Sequence, residues 1–317
     1  MLMAPRSTIS IVRNATIRAP VVAALGTFDG IHIGHQELLK AVVARATELG
    51  AEPAVISFYP HPLVGLGRVS EMPAITNLRT KMRILCDLGI KYYIALRFRT
   101  IANLDASQFI QRIVEQYSVA HLVYGSDLRI GRGRDAGAEA ISQLLARHGK
   151  GATVVPLLNA GTDKIGSRVI RALIEEGEIG AATSSLGRPY ELAGRRVAGD
   201  HRGTSIGIPT VNLYAPRQVI PARGVYATTM RYCGGDYPSV TNVGNRPTFG
   251  GTTRSIETHA LDVTINCPVL SRVQLFFHDR IRSEMKFNGV EELIAQIKRD
   301  CNDARERIRK IPKNLSY

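Results

Sequence analysis

Tryptophan is absent from this 317-residue sequence, and aromatic residues make up only 6% of it. The four cysteines are scattered and form no Cys-x-x-Cys pair, which argues against a zinc site or a disulfide framework and fits free thiols in a reducing compartment. No apolar run is long enough to cross a bilayer, and residues 1–18 lack the continuous apolar segment of a signal peptide. We therefore expect a cytoplasmic protein without a membrane partner.

Acidic residues are also scarce. The chain has 27 Asp and Glu against 41 Lys and Arg, a formal net charge of +14. This balance favours anionic partners, and nucleotide phosphates or RNA would both satisfy it. Because the sequence contains no motif that interleaves aromatic and basic residues, nucleic acid is the weaker of the two, and we expect small nucleotides as ligands. Nothing in the sequence indicates an oligomeric state.

Short apolar runs and helical patterns alternate over the first part of the chain. Strands are predicted at 21–24, 54–58, 92–96, 121–124 and 152–156, and helices at 36–45, 78–88, 106–117, 138–148 and 168–176, with Asp105 as an N-cap. This alternation predicts an α/β fold with a parallel sheet covered on both faces. Ligands of such sheets bind beyond the carboxyl ends of the strands, where we expect the turns at His32, His61, Asp127 and Ser167 to converge.

From Gly187 onwards the pattern changes to short β-prone segments separated by turns. These segments lie at 195–199, 210–213, 224–228, 237–240, 256–261 and 272–277, and they predict a small β-barrel. Apolar residues at helical spacing over 290–308 predict a C-terminal helix, with Asn288 as its N-cap. We therefore expect two domains, 1–186 and 187–317.

Residues 26–35 form the turn between the first predicted strand and its helix. Backbone N–H groups collect at such a turn, and the positive end of the helix dipole points into it, so it is a place where phosphate can bind. His32 and His35 add protonatable donors at the same point. The zinc motif His-Glu-x-x-His is excluded, because both its spacing and its glutamate are missing.

A second candidate site lies in the glycine-rich segment 199–213. A glycine-rich loop alone is more often an ordinary turn. Here, however, Thr210 and Asn212 follow it two residues apart, which places them on one face of a strand. Their oxygen atoms suit Mg²⁺, and the loop could surround phosphates.

Residues 26–35, G-T-F-D-G-I-H-I-G-H, resemble the H-x-G-H signature of the nucleotidyltransferase superfamily, in the version found in FMN adenylyltransferases. Segments 58–62 (F-Y-P-H-P) and 125–133 (G-S-D-L-R-I-G-R-G) are similar to two further segments of that family. The resemblance implies a Rossmann-like domain in which His32 and His35 act on the phosphates of ATP. It also implies nucleotide contacts from Gly26, Phe28, Asp29, Gly34, Ser167 and Arg171, and flavin-site contacts from His61, Asp127 and Arg129.

The resemblance is weakest at residues 165–171. The family has I-S-S-T-R-I-R there, whereas this chain has I-G-S-R-V-I-R, so Ser167 and Arg171 align while Arg168-Val169 replaces Thr-Arg. Arg168 lies one position before the family's arginine, which corresponds to about 100° of rotation on a helix. Asp127 also has an alternative interpretation, as a residue that stabilises a turn.

Segment 199–213 resembles the riboflavin kinase signature G-x-x-x-G-R-x-x-G-F-P-T-A-N, and segments 221–226, 242–250, 256–259 and 281–287 are similar to later parts of that kinase family. The family's acidic D-L-Y-G stretch is missing near 268–271. The resemblance implies several kinase roles: Glu257 as catalytic base, Gly203 and Gly207 at the nucleotide, Thr210 and Asn212 at Mg²⁺, and Arg282 at the flavin.

Both halves together resemble the bifunctional riboflavin kinase/FMN adenylyltransferase family. That resemblance implies that riboflavin is phosphorylated to FMN with ATP and Mg²⁺, and that a second ATP then transfers AMP to FMN, giving FAD and pyrophosphate. Two alternatives stay open. The protein could be a riboflavin kinase alone, with an N-terminal domain impaired or altered in adenylyl transfer, or a non-catalytic regulator that binds flavin or RNA.

Overall fold

The computed structural model divides into two compact units. The first extends to Met72 and continues from Leu78 to Gly166, and the second contains Pro73–Asn77 and the chain from Ser167 onwards. The boundary predicted at 186/187 separates two functional domains rather than two compact units, and it stays a prediction. The structure describes residues 8–13, 15–156, 159–160, 163–199, 207–248, 251–263 and 268–311.

The first unit is built on a six-stranded sheet in which all neighbouring strands run parallel, in the order β1-β4-β3-β2-β5-β6. A short pair, β7 with β8, follows the sheet. The strands are β1 Ser10–Val12, β2 Val21–Leu25, β3 Glu52–Tyr59, β4 Tyr92–Arg97, β5 Val119–Gly125, β6 Gly151–Val155, β7 Asn159–Ala160 and β8 Asp163–Lys164.

Helices cover both faces of this sheet, because alternate residues of its strands point to opposite sides. On β2, Val21 and Ala23 belong to one apolar cluster, whereas Val22 and Ala24 belong to another. The first cluster includes residues of α4 and α5, and the second includes residues of α1 and α3. The helices of this unit are α1 Ile33–Glu48, α2 Pro62–Gly65, α3 Leu78–Asp87, α4 Ala106–Tyr117 and α5 Ala138–Arg147.

The second unit is a closed barrel of antiparallel strands in the order β10-β13-β12-β11-β14-β9. Two helices, α6 Ser167–Glu176 and α7 Ile179–Leu186, precede it, and α8 Val290–Arg309 follows it. The strands are β9 Tyr190–Val197, β10 Val211–Tyr214, β11 Gly224–Tyr232, β12 Gly235–Thr248, β13 Gly251–Ala260 and β14 Arg272–Arg282.

The barrel of the second unit is filled by side chains and covered by α8 on the outside. On β11, Tyr226 and Met230 are fully buried, and the Tyr226 ring contacts the ring of Phe277 on β14 at a centroid distance of 5.3 Å. Residues at alternate positions, such as Val225, pack instead with Cys301 of α8. Because the barrel is closed, the face under α8 is its outer face.

The fold confirms the predicted parallel sheet, the barrel and the C-terminal helix, and it also corrects details. Gly289, and not Asn288, is the N-cap of α8, since the helix begins at Val290 and Gly289 has the extended backbone of a cap. Asn288 lies one residue earlier, and its N–H donates to the Glu292 carboxylate in the first turn at 2.9 Å. Cys233 is disulfide-bonded, so the expectation of free thiols throughout is wrong, because spacing in the sequence does not report which residues a fold brings together. Cys86 and Cys301 form no disulfide.

Candidate active sites

The first candidate site is the turn between β2 and α1, where the chain reverses direction at the carboxyl end of the sheet. Phe28, Gly30 and Ile31 all have positive φ angles there, of 48°, 80° and 42°. Positive φ is rare for residues other than glycine and usually marks a functional constraint. The turn ends at His32, which is the N-cap of α1, so the two histidines occupy the cap and first turn of the helix.

The two histidines of this turn lie against each other. Their rings stack at a centroid distance of 3.7 Å with an angle of 20° between them, and the Phe28 ring lies 5.0 Å from His35. The His32 Nδ1 accepts the His35 backbone N–H at 3.3 Å. A Cβ at Gly34 would lie only 3.3 Å from that Nδ1, which explains why glycine stands between the histidines. The pair is thus fixed at the positive end of the helix dipole.

The predicted flavin residues follow the strands on either side of β2. His61 comes after β3 and caps the short helix α2, where its Nδ1 accepts the Leu63 N–H at 3.3 Å. Asp127 and Arg129 come after β5, both exposed, and Arg129 donates to the carbonyl of Arg134 at 2.8 Å. Since β3, β2 and β5 are consecutive in a parallel sheet, these residues share one sheet edge with His32.

The predicted phosphate residues Ser167 and Arg171 belong to the second unit. Ser167 begins α6, and Arg171 donates to the backbone carbonyl of Pro73. Pro73 lies in the segment 73–77, which is also part of that unit. Their role at the phosphates of ATP therefore stays a prediction.

The second candidate site is a row of residues across the outer face of the barrel. Strand register pairs Asn212 with Glu257, Glu257 with Asn242, Asn242 with Val225, and Val225 with Arg282. Since Val225 packs under α8, the row faces outwards. Neighbouring strands lie about 4.8 Å apart, so Glu257 has an asparagine residue on the strand to each side of it.

A cavity of about 150 Å³ adjoins the Asn212 end of this row. Thr210 and Asn212 are among its polar lining residues, and Val197, Val263 and Val269 are among its apolar walls. A Cβ at Gly199 would collide with the Asn212 amide, so glycine two residues after β9 leaves room for that side chain. Gly207 has a φ of 77°, which suits glycine at that turn, whereas Gly203 lies outside the described residues.

At the other end of the row, Arg282 is held by α8. Its Nε and Nη2 donate to the Asp300 carboxylate at 2.8–3.1 Å, and its Nη1 donates to the Ser283 carbonyl at 2.9 Å. Asp300 is only 2% exposed and also accepts from Gln296 at 2.8 Å. The guanidinium keeps one N–H on each terminal nitrogen beyond those bonds, a fork suited to an oxygen-rich ligand.

Comparison with known proteins assigns both halves. A riboflavin kinase family model matches residues 186–308, and an FAD synthetase model matches residues 14–169. The bifunctional riboflavin kinase/FMN adenylyltransferase of Escherichia coli K12 is 35% identical over 289 residues, covering 90% of this chain and 92% of that protein. The chain belongs to the bifunctional riboflavin kinase/FMN adenylyltransferase family. The Bacillus subtilis member is 36% identical over 295 residues, with the same two coverages.

Solved structures agree with the fold. A crystal structure described as a macrolide-efflux protein from Streptococcus pneumoniae superimposes with a TM-score of 0.86 at 28% identity, covering 93% of this chain and 98% of that one. Within the described part of this family member, no helix is both long and apolar enough to cross a membrane.

Four polar residues at these sites were not singled out from the sequence of this family member. Lys81, on α3, donates to the Thr27 carbonyl inside the β2–α1 turn at 3.0 Å. Asn242 flanks Glu257, and a Cβ at Gly244 would lie 2.8 Å from the Glu284 carboxylate. Asp300 holds Arg282. Asn242 and Glu284 lie inside segments that the sequence did mark, whereas Lys81 and Asp300 sit on ordinary amphipathic helices and carry no sequence signal.

Proposed function

We propose that this chain makes FAD in two steps, first phosphorylating riboflavin to FMN in its barrel unit and then adenylylating FMN in its sheet unit. The observation that carries the proposal is the row on the barrel, in which a single carboxylate residue, Glu257, pairs with Asn212 on one neighbouring strand and Asn242 on the other. The stacked histidines at the start of α1 support the second step. Family membership over 90% of the chain supports both.

In the kinase step, Glu257 is the general base. It accepts the proton of the terminal ribityl hydroxyl as that oxygen attacks the γ-phosphorus of ATP, the bond to the β-phosphate oxygen breaks, and ADP leaves. Asn212 and Asn242 flank the base on the two neighbouring strands, and Arg282 offers its remaining N–H groups to the flavin. Protein side chains perform no covalent chemistry in this step, so positioning dominates.

Magnesium fits the barrel site by donor chemistry. Thr210 and Asn212 offer neutral oxygens at the cavity, which suits a cation that keeps waters and shares substrate phosphates. Among the described residues, no group of three His, Cys, Asp or Glu is arranged as a self-sufficient metal site, so the ion would arrive with the nucleotide. When bound, Mg²⁺ neutralises charge on the β- and γ-phosphates.

In the adenylyl step, a phosphate oxygen of FMN attacks the α-phosphorus of a second ATP and pyrophosphate leaves. Negative charge grows on the α-phosphate and on the pyrophosphate, and no protein nucleophile is needed. His32 and His35 donate hydrogen bonds to those oxygens, assisted by the free N–H groups of α1. We assign nucleotide contacts to Gly26, Phe28, Asp29, Gly34, Ser167 and Arg171, and FMN contacts to His61, Asp127 and Arg129.

The proposal includes a functional boundary at 186/187 and a cytoplasmic location, where ATP is available to both steps. Small nucleotides and flavins are the proposed partners, and the net charge of +14 suits their phosphates.

The test supplies the purified chain with riboflavin and MgATP and follows FMN and FAD by chromatography. FMN should appear first and FAD should follow. Glu257→Gln should lower kinase turnover by about 10²–10⁴-fold while leaving adenylyl transfer to supplied FMN intact. FMN that accumulates without FAD would instead support the kinase-only alternative, and full kinase activity in Glu257→Gln would refute the base assignment.

A further inference from the structure

A lysine lies beneath the strained turn that carries the two histidines. The Lys81 ammonium donates to the Thr27 carbonyl at 3.0 Å, from α3 on the same face of the sheet as α1. Burial lowers the pKa of Lys81, and the nearby charge of Asp29 partly opposes this effect. Asp29 is itself only 6% exposed. A half-buried lysine and a buried carboxylate thus lie near each other at the floor of the turn.

The Thr27 carbonyl does not need Lys81 to satisfy its hydrogen bonding. The Ser57 hydroxyl, on β3, also donates to it at 3.3 Å. What Lys81 adds is a positive charge whose field reaches the buried Asp29 carboxylate, so removing that charge takes away part of the carboxylate's electrostatic compensation. Asp29 lies between Phe28 and Gly30, two of the residues with positive φ, so its position affects the whole turn.

We propose that Lys81 is a positioning residue for adenylyl transfer. Its ammonium group holds the 26–32 turn through Thr27 and Asp29. The position of this turn sets where His32 and His35 contact the phosphates of ATP. This inference rests on the proposed adenylyltransferase function. Displacement of catalytic groups by about 1 Å can reduce turnover by about 10²-fold, so a support of this kind has a large kinetic effect without touching substrate.

The experiment compares Lys81→Met, which keeps the length of the side chain without its charge, with Lys81→Arg, which keeps the charge. Arg79→Met is the matched control, because Arg79 is an exposed cation on the same helix. Adenylyl transfer is measured with supplied FMN and MgATP. Kinase activity, which is assigned to the barrel unit, is measured on riboflavin in the same sample and serves as a check that the chain is folded.

Lys81→Met should lower kcat of adenylyl transfer by at least about tenfold and should also raise the KM for ATP, since the turn carries the nucleotide contacts assigned to Gly26, Phe28 and Asp29 as well as the histidines. Lys81→Arg should recover much of the loss, and Arg79→Met should resemble wild type. Kinase activity should stay within about twofold in all three, because these side chains lie outside the barrel unit.

The pH profile separates positioning by charge from simple packing. Lysine loses its charge as pH rises through its pKa, so wild-type adenylyl transfer should fall at alkaline pH, and Lys81→Arg should stay active to higher pH because arginine does not deprotonate. Normal kcat in Lys81→Met, or identical alkaline limbs in wild type and Lys81→Arg, would overturn this inference alone. Absence of adenylyl transfer from wild type would overturn the proposed function, and this inference with it.

Discussion

The pairing of Arg282 with Asp300 leads to the sharpest prediction about stability. Asp300→Ala removes the carboxylate that accepts both Nε and Nη2 of Arg282 at 2.8–3.1 Å, together with the bond from Gln296. The Arg282 side chain is 18% exposed, and Asp300 is 2% exposed. The variant therefore leaves a largely buried guanidinium without its counter-charge.

Removing one partner of a buried ion pair destabilises proteins by about 3–5 kcal/mol. The lower end, about 3 kcal/mol, is expected here, because the Arg282 guanidinium can turn partly towards water and keeps its bond to the Ser283 carbonyl. With a urea dependence of about 1–3 kcal/mol per molar, the barrel unit should unfold about 1–3 M earlier.

Hydrogen exchange measured by mass spectrometry across a urea series gives the free energy of unfolding of each unit separately, so the sheet unit serves as an internal reference. Asp262→Ala is the control, since Asp262 pairs with Arg305 of the same helix α8 at 2.6 Å but is 71% exposed. Exposed pairs contribute about 0–1 kcal/mol. A loss below about 1 kcal/mol in Asp300→Ala, equal to that of the control, would refute the reasoning.

Three further predictions concern stability. Burial lowers the pKa of His278 to about 4, whereas the pKa in the unfolded chain is near 6.5. Between these two pH values only the unfolded chain binds the proton, so barrel stability should fall by about 2–3 kcal/mol as the pH is lowered from 6.5 to 4. His278→Gln should flatten this pH dependence. Gln218→Leu should destabilise the barrel by about 2–4 kcal/mol in urea unfolding, because the buried side-chain amide of Gln218 forms hydrogen bonds with Asn77, Ala193 and Glu191. Asp105→Ala should remove the capping box of α4 and lower the stability of the sheet unit by about 1 kcal/mol in thermal melts.

Local sequence patterns predicted much of the fold, because strands and helices each repeat their buried positions with a fixed spacing along the chain. The Asp105 cap and the alternation of apolar runs with helical segments both follow from interactions within a few residues, and the structure confirms them. Edge strand β1 was missed, since only Ser10–Val12 pair and their burial is partial. The start of α1 was placed late because histidine is an unusual N-cap.

Long-range partners were beyond the reach of sequence patterns. Lys81 meets Thr27 across 54 positions, and Arg282 meets Asp300 across 18 positions, at distances that only the fold creates. The register that sets Asn242 beside Glu257 likewise depends on how β12 and β13 align, where a slip by one residue would turn Asn242 to the other face. Motifs therefore located the candidate sites, but not the residues that support them.

The geometry of the barrel row separates the roles of Glu257 and Arg282. From Glu257 the row passes through Asn242 and Val225 to Arg282, three strand steps and therefore about 14 Å along the surface. The proposed roles therefore assign the two residues to different parts of an extended flavin substrate, with only Glu257 beside the reacting hydroxyl. Arg282→Lys, which keeps the charge but loses the planar fork, should therefore raise the KM for riboflavin while leaving kcat within about threefold, whereas Glu257→Gln should lower kcat with little change in KM. Steady-state kinetics with riboflavin varied at saturating MgATP make this comparison, and a fall in kcat for Arg282→Lys as deep as that of Glu257→Gln would show that both residues act at one reacting centre.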